Sequence, residues 1–481
     1  MGEEKIFMKV KNIIFSRSAG WAKIFLRLLI VVSLIAFIYN AIISPQIVYL
    51  LLNAIILVLI LTLYRGVNEV DFSQKKIISQ KEEIDKLENE IEELEENLEN
   101  KMTKARRVHK RLLPDKLPQP RDVFISAYYQ PAEYTGGDYY NIFKIDHGAM
   151  DDLLNQYLIY FFDVSGHGID STLLSIFIND TIENYFKMRH NPGEKVSPQE
   201  LMNYIDRQYQ NEGFPDDYLV CLFLGLLDFN NYTLSYSAGG LHFPGFKINP
   251  YQEIEEISMG GFPVSTGLGM MKDVRPERKI SFEENDTLLL STDGLYEEGR
   301  DSEMYYDVRL NEVLNNFKHL PSPFFKQALK KDFFDFIGDN RAGDDVTFMV
   351  LSRPEGDIKQ WDLDGEDDIQ QKISDITDHI DRNFPQIWED LTLNFEEYLP
   401  AEKENLEIKV RAVKNESFVI LEMEDKTGRI EKWEDIINKD ANKDRFTDFE
   451  MAENIATMRK KVIYAAYDSS YHRLYFMQNT K

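Results

Sequence analysis

The chain has 481 residues, enough for two or three domains, with 43% hydrophobic and 12% aromatic residues and a formal charge of −27. That content excludes a disordered chain, and the acidity excludes a nucleic-acid partner, whose phosphates need a basic surface. The one cysteine, Cys221, excludes a disulfide framework and a cysteine-based zinc site and fits a reducing cytoplasm.

Residues 1–65 read as a membrane anchor. Ile24 to Ile43 and Ile47 to Tyr64 are apolar stretches of near-spanning length with only Ser44-Pro45-Gln46 between them. So short a connection predicts a hairpin of two transmembrane helices. Lys5, Lys9, Lys11, Arg17, Lys23 and Arg27 cluster at its start and Arg65 follows its end, which places both ends in the cytoplasm. The second span, and the lack of a small-residue cleavage site, argue against a signal peptide. The hairpin leaves no room for an extracellular sensor domain.

Residues 66–113 read as a signalling helix. Ile77, Ile84, Leu87, Ile91, Leu94 and Leu98 form a heptad seam with isoleucine at a and leucine at d, the choice that favours a parallel two-stranded coiled coil. Gln80 interrupts the seam, and Glu83 and Glu90 at g would face Glu88 and Glu95 at e of the partner. A parallel homodimer through 77–98 is therefore expected to be weak and to rely on the anchors for local concentration.

Beyond it, Leu158-Ile159-Tyr160-Phe161-Phe162-Asp163-Val164-Ser165-Gly166-His167-Gly168 predicts a buried strand that ends on a carboxylate and breaks into glycines. Leu288-Leu289-Leu290-Ser291-Thr292-Asp293-Gly294 repeats the pattern, Asp344-Asp345 precedes the apolar Val346–Val350, and Asp138 follows the turn Gly136-Gly137. Buried ionised acids are costly unless paired or metal-bound, so these strand ends point to one metal site. Carboxylates without histidine or cysteine suit Mg²⁺ or Mn²⁺ rather than Zn²⁺.

Several of these segments together resemble a known family. They are Val108–Pro114, Tyr128–Tyr140 with its Thr135-Gly136-Gly137-Asp138-Tyr139-Tyr140, Asp163–Gly168, Ser237-Ala238-Gly239-Gly240, Ser291–Glu298 and Asp344–Thr347. In order and spacing the stretch 108–353 resembles the SpoIIE/RsbU-type bacterial serine phosphatases of the metal-dependent protein phosphatase 2C (PPM) superfamily. Gly-Gly-Asp also occurs in diguanylate cyclases, but Tyr-Tyr follows here rather than Glu-Phe. The resemblance implies an α/β fold, a two-sheet β-sandwich flanked by helices, over 114–353. It implies two Mn²⁺ or Mg²⁺ ions, with Asp163 bridging them, the Val164 carbonyl and Asp138 on the second, and Asp293 and Asp344 on the first. Asp345 is the less favoured of its pair. His167 is either a catalytic proton donor or orienter, alongside Asp163, or a turn residue capping the helix that starts near Ile169. Gly240 in place of a histidine, and the loosely matching Gly261–Gly267, depart from the family pattern.

Within that region, Ser197-Pro198-Gln199-Glu200 is a capping box opening a helix through Tyr209, and Tyr218–Leu227 with Tyr232–Ser237 predicts a hairpin. Arg353 to about Asp368 reads as a polar linker. Residues 367–481 then predict a helix (Ile369–Tyr398), strands near Leu406–Val413 and Phe418–Glu424, a helix near Phe449–Val462 and a final strand, Arg473–Gln478. That order resembles the GHKL ATP-binding fold, with Asp390, Asn394 and Asp425–Gly428 faintly matching its motifs. The stretch Arg445–Glu453 contains no glycine, so the phosphate-cradling lid is missing and the segment reads as a degenerate, non-catalytic form of that domain, the alternative being an unrelated α/β domain.

The resemblance as a whole implies a multi-pass protein of the bacterial cytoplasmic (inner) membrane, with its catalytic domain in the cytoplasm. The implied activity is dephosphorylation of a phosphorylated STAS-type anti-sigma-factor antagonist in partner switching. The alternative is a pseudophosphatase scaffold that binds signalling partners. A membrane histidine kinase is disfavoured, because His109 is the one phospho-acceptor the helix offers and the ATP lid is missing.

Overall fold

The computed structural model describes residues 24–39, 42, 47–148, 155–166, 168–188, 190–269, 274–300, 303–338, 341–364, 371–379 except 373 and 377, 407–414, 418–425, 446–448, 463–468, 471 and 473–479. The chain divides into two compact units, Met1–Lys101 and Met102–Lys481.

In the first unit, helix α1 (Ile24–Tyr39) lies beside the start of α2 (Ile47–Leu112). Arg27 Nε and Nη2 donate to Tyr64 Oη at 3.3 and 3.2 Å, which sets the two helices antiparallel. Among the described residues one helix, α2, is long and apolar enough to cross a membrane. At 1.5 Å per residue α1 covers about 24 Å, short of a hydrocarbon core of about 30 Å, and its expected end at Ile43 lies outside the described residues. Leucine, glutamate and lysine are good helix formers and no proline intervenes, so α2 runs unbroken for 66 residues. The heptad seam lies bare on the single chain, with Ile77 63% and Leu94 68% exposed.

The second unit is built on two five-stranded sheets. Its strands are β1 (Phe124–Gln130), β2 (Tyr139–Lys144), β3 (Gln156–Val164), β4 (Val220–Asp228), β5 (Thr233–Gly239), β6 (Gly245–Ile248), β7 (Glu255–Ile257), β8 (Arg278–Ser281), β9 (Thr287–Ser291), the hairpin β10 (Gly299–Arg300) and β11 (Glu303–Met304), and β12 (Val346–Ser352). One sheet has the order β1-β12-β9-β6-β7, the other β2-β3-β4-β5-β8. Alternation decides which side chain goes where. Ile159 and Phe161 of β3 enter the core between the sheets with Leu288, Leu290, Met349 and Leu351. Leu158, Tyr160 and Phe162 face the other way, onto α3 (Ile169–Met188) and α4 (Pro198–Glu212). Both faces of β3 are covered, which is why it is apolar from Leu158 to Phe162. Outside the first sheet pack α5 (Asn311–Phe317) and α6 (Ser322–Ile337). The Ser197 side chain caps α4 by accepting from Glu200 N at 3.3 Å, and Gly213 ends the helix at φ 66°.

The stretch expected to be a linker is instead a strand. β13 (Asp357–Asp364) pairs antiparallel with β14 (Glu407–Lys414), opening a sheet that continues through β15 (Phe418–Asp425), β18 (Arg473–Asn479), β17 (Ile463–Asp468) and β16 (Phe446–Asp448). Ile358 and Leu363 bury themselves, while the intervening Lys359 and Asp362 stay outside and give the segment its polar composition. The expected strands near 406–413, 418–424 and 473–478 are present. Apart from short helical pieces between 371 and 379, the expected helices Ile369–Tyr398 and Phe449–Val462, with Asp390 and Asn394, lie outside the described residues.

This sheet is joined to the sandwich by a shared core and by buried arginines. Val413, Ile420, Tyr475 and Met477 pack with Phe124, Phe324 and Phe325. Arg411 pairs with Glu422 at 2.5 Å and donates to the carbonyls of Pro120 (2.7 Å) and Val123 (2.8 Å). Arg473 pairs with Glu424 at 3.0 Å and donates to the Leu117 and Ile125 carbonyls. Buried charges are tolerable when paired and hydrogen-bonded in this way.

Candidate metal centre

Strand register gathers the acids. β12 starts beside the end of β1 (Val346 opposite Gln130) and runs past the end of β9 (Phe348 opposite Ser291). Asp344-Asp345, just before β12, therefore meets Asp293, just after β9. In the other sheet Tyr139 pairs with Phe162, which sets Asp138 next to Asp163 at the same end of the sandwich.

The backbone around Asp138 is clamped from several sides. Asp345 Oδ1 accepts from Ala132 N at 2.9 Å and Oδ2 from Asp138 N at 3.3 Å. From the first turns of α3, Thr172 Oγ1 donates to the Gly136 carbonyl at 3.1 Å and Ser175 Oγ to the Gly137 carbonyl at 2.6 Å. A Cβ at Gly136 would collide with the Asp345 carboxylate, and one at Gly137 with the Val164 carbonyl. Glycine is required at both positions by this close approach. The same contact directs the Val164 carbonyl toward the turn that carries Asp138.

The Asp138 carboxylate is 1% exposed and accepts from Thr292 Oγ1 at 2.8 Å. Asp163 lies on β3, opposite Cys221 of β4. Asp293 is the first residue of a 3₁₀ turn, Asp293–Leu295. Asp344 is exposed, and its backbone N–H donates to Glu298 Oε1, as does that of Gly343. His167 lies outside the described residues.

Electrostatics show the acids acting on one another. Burial raises Asp163 well above the ordinary carboxylate range, and Asp293, Asp344, Asp345 and Glu297 raise it further. Burial also raises Asp138, aided by Asp163 and Asp345. Asp293 is pushed up to about 6 by burial, then by Asp344 and Glu297. Asp345 is raised by burial, offset by the N–H bonds it accepts. The Cys221 thiol is pushed up by burial and then by Asp163, which keeps it protonated.

Among the described residues, no three His, Cys, Asp or Glu side chains converge closely enough to hold an ion in these rotamers. The acids nonetheless fit a divalent cation in kind. Asp138, Asp163, Asp293 and Asp344 present oxygen donors within one another's field, and the leading charges on Asp163 are all negative. A hard cation is what offsets such a cluster.

Sequence reasoning missed Thr292, the N–H clamp made by Asp345, the brace from Thr172 and Ser175, and the Glu298 contact. For Thr292 a signal existed: a hydroxyl next to a strand-end acid. The others join residues far apart in sequence.

Residues 155–354 match the family described as Stage II sporulation protein E (SpoIIE), a span that includes Asp163, Asp293 and Asp344 and begins after Asp138. No curated protein matches the chain. Among solved structures the chain is similar to the SiaA-PP2C domain of Pseudomonas aeruginosa, at 18% identity, 54% of this chain, 97% of that chain and TM-score 0.44. It is also similar to the RsbU and RsbW domains of a Mycobacterium tuberculosis protein, at 16% identity, 76% of this chain, 95% of that chain and TM-score 0.42. A third similar structure holds the PP2C phosphatase domain and a regulatory fragment of SpoIIE from Bacillus subtilis, at 16% identity, 49% of this chain, 64% of that chain and TM-score 0.38. The likeness to the SpoIIE family thus covers residues 155–354 of this chain.

Proposed function

We propose that the protein is a metal-dependent phosphoserine/phosphothreonine protein phosphatase, held at a bacterial cytoplasmic membrane by its two N-terminal helices and acting on a phosphorylated STAS-type anti-sigma-factor antagonist. The observation that carries this reading is the gathering of Asp138, Asp163 and Asp293 at the shared end of two sheets, where Asp163 raises Asp138 and Asp293 raises Asp163. Such a cluster ionises fully when cations balance it. In this reading Asp163 would contribute to both of two Mn²⁺ or Mg²⁺ ions, with Asp138 and the Val164 carbonyl holding one and Asp293 and Asp344 the other. When bound, the ions supply Lewis acidity toward a phosphoryl oxygen and an acidified water.

The remaining work is done by the chain itself. Thr292 fixes the rotamer of Asp138. Asp345 and Glu298 hold the backbone segments from which Asp138 and Asp344 project. The bare seam of α2 pairs with a second copy in parallel through 77–98, and the C-terminal sheet belongs to a degenerate GHKL-like domain without ATPase activity.

The test is phosphate release by the full-length protein in detergent, from a phosphorylated STAS protein and from a phosphoserine peptide, with Mn²⁺ and with EDTA. Release that requires Mn²⁺ and favours the STAS protein is expected. Release unaffected by EDTA would contradict the metal centre. No release from either substrate with Mn²⁺ would favour the pseudophosphatase scaffold.

A further inference from the structure

A cavity of about 590 Å³ is lined by the end of α2, by β1 and α6, and by Asp468 and Tyr471. Small-molecule sites are typically about 300–1,000 Å³. None of the clustered acids lines it.

Its walls combine three kinds of group. Tyr128, Tyr129, Tyr134 and Tyr140 supply ring faces and hydroxyls. Arg106, Lys110 and Lys330 supply positive charge and form no salt bridge among the described residues. Lys330 Nζ sits 5.5 Å from the centre of the Tyr128 ring, which holds it over the cavity. Of the two acids present, Asp468 is taken up by a salt bridge to Lys326 and Asp115 is exposed at the rim. A net positive wall in a chain of charge −27 is a local exception.

The third kind is buried polar atoms without partners. His109 is 3% exposed, and its Nε2 makes no hydrogen bond among the described residues; the same holds for Gln327 Oε1. His109 Nδ1 lies 3.3 Å from Tyr129 Oη. Burial lowers His109 to about 4, so the ring is neutral at neutral pH. The tautomer of the ring sets which atom of the His109–Tyr129 pair donates. His109 Nε2 and Gln327 Oε1 both belong to residues that line the cavity, and buried polar groups of this kind call for partners.

We propose that this cavity binds a small aromatic anion of the nucleoside monophosphate class. The planar base lies against the tyrosine rings with its edge toward His109 and Gln327, and its phosphate meets Arg106, Lys110 and Lys330. The same β1 that lines the cavity leads through Pro131 and Ala132 to the Gly-Gly turn before Asp138, so the site borders the backbone of the catalytic end.

The experiment uses full-length protein in detergent with EDTA to suppress turnover. AMP, GMP, CMP and UMP are titrated by calorimetry, with adenosine, guanosine and inorganic phosphate as separated halves. At least one nucleotide is expected to bind saturably below millimolar concentration, more tightly than its nucleoside or phosphate alone. Arg106→Gln combined with Lys330→Gln should weaken it by about tenfold or more. Tyr134→Ala, at a 41% exposed position, provides a second variant should the double one fail to fold, and it too should weaken binding. Asp163→Asn should bind as the wild type does. Absence of saturable binding up to millimolar nucleotide would overturn the proposal. So would phosphate alone binding as tightly as the nucleotide, or binding lost in Asp163→Asn and unchanged in the cavity variants.

Discussion

Replacing Asp293 by asparagine should stabilise the metal-free protein while damaging the loaded one. Asp293 is held at about 6, against 3.8 for an unperturbed carboxylate, by burial and then by Asp344 and Glu297. A gap of that size corresponds to about 3 kcal/mol, as an upper figure for a partly exposed group. The sign follows from proton binding. Because the folded value lies above the unfolded one, the native state holds more protons between pH 4 and 6, so wild-type stability falls as pH rises through that window. Asparagine does not titrate. In EDTA, Asp293→Asn should therefore match the wild type near pH 4, gain on it up to about pH 7, and stay ahead by up to about 3 kcal/mol at pH 8. Thermal unfolding of the full-length protein in detergent reads this as a difference of several degrees in Tm. Excess Mn²⁺ should reverse the order, because the variant has lost a negatively charged oxygen donor. Coincident Tm values at pH 8 and pH 4 in EDTA would refute the reasoning, as would a variant less stable than the wild type at every pH.

Thr292→Val removes the hydroxyl that holds the Asp138 carboxylate and should lower apparent Mn²⁺ affinity by about 10–100-fold with little change in fold, measured by Mn²⁺ dependence of turnover and by circular dichroism. Gly137→Ala drives a Cβ into the Val164 carbonyl and should cut turnover at saturating Mn²⁺ by about a hundredfold or more, whereas equal turnover would disprove the close approach. Inserting one to four residues after Leu98 should change activity with the helical phase, because each residue turns α2 by about 100°, and a seven-residue insertion should restore it. If all insertions behave alike, α2 is only a tether.

Much of the sandwich could be read from the sequence because local pattern and burial agree. Leu158–Phe162 is apolar throughout, and β3 is covered on both faces. Ser197-Pro198 marks the start of α4, whereas the helix expected to end at Tyr209 runs on to Glu212. The turn Gly136-Gly137 marks a close approach, although what approaches, Asp345 and the Val164 carbonyl, comes from distant strands. β13 was hidden by its polar residues, Lys359, Gln360 and Asp362 among them, which read as a linker until pairing with β14 makes the segment a strand. Arg411 and Arg473 look like surface charges in a string of residues. Only the fold shows that each spans from a glutamate to backbone carbonyls of 117–125. Asp344 and Asp345 are adjacent in sequence but diverge in role. Asp345 spends its oxygens on the N–H groups of Ala132 and Asp138, while Asp344 stays exposed beside Asp293.

The central claim is that Asp163 joins two cations in one centre, and Mn²⁺ binding at equilibrium tests it without reference to any substrate. Calorimetric titration of the full-length protein, wild type and Asp163→Asn, should show two Mn²⁺ per chain in the first and loss of tight binding in the second. Equal stoichiometry and affinity in the two proteins would contradict the account.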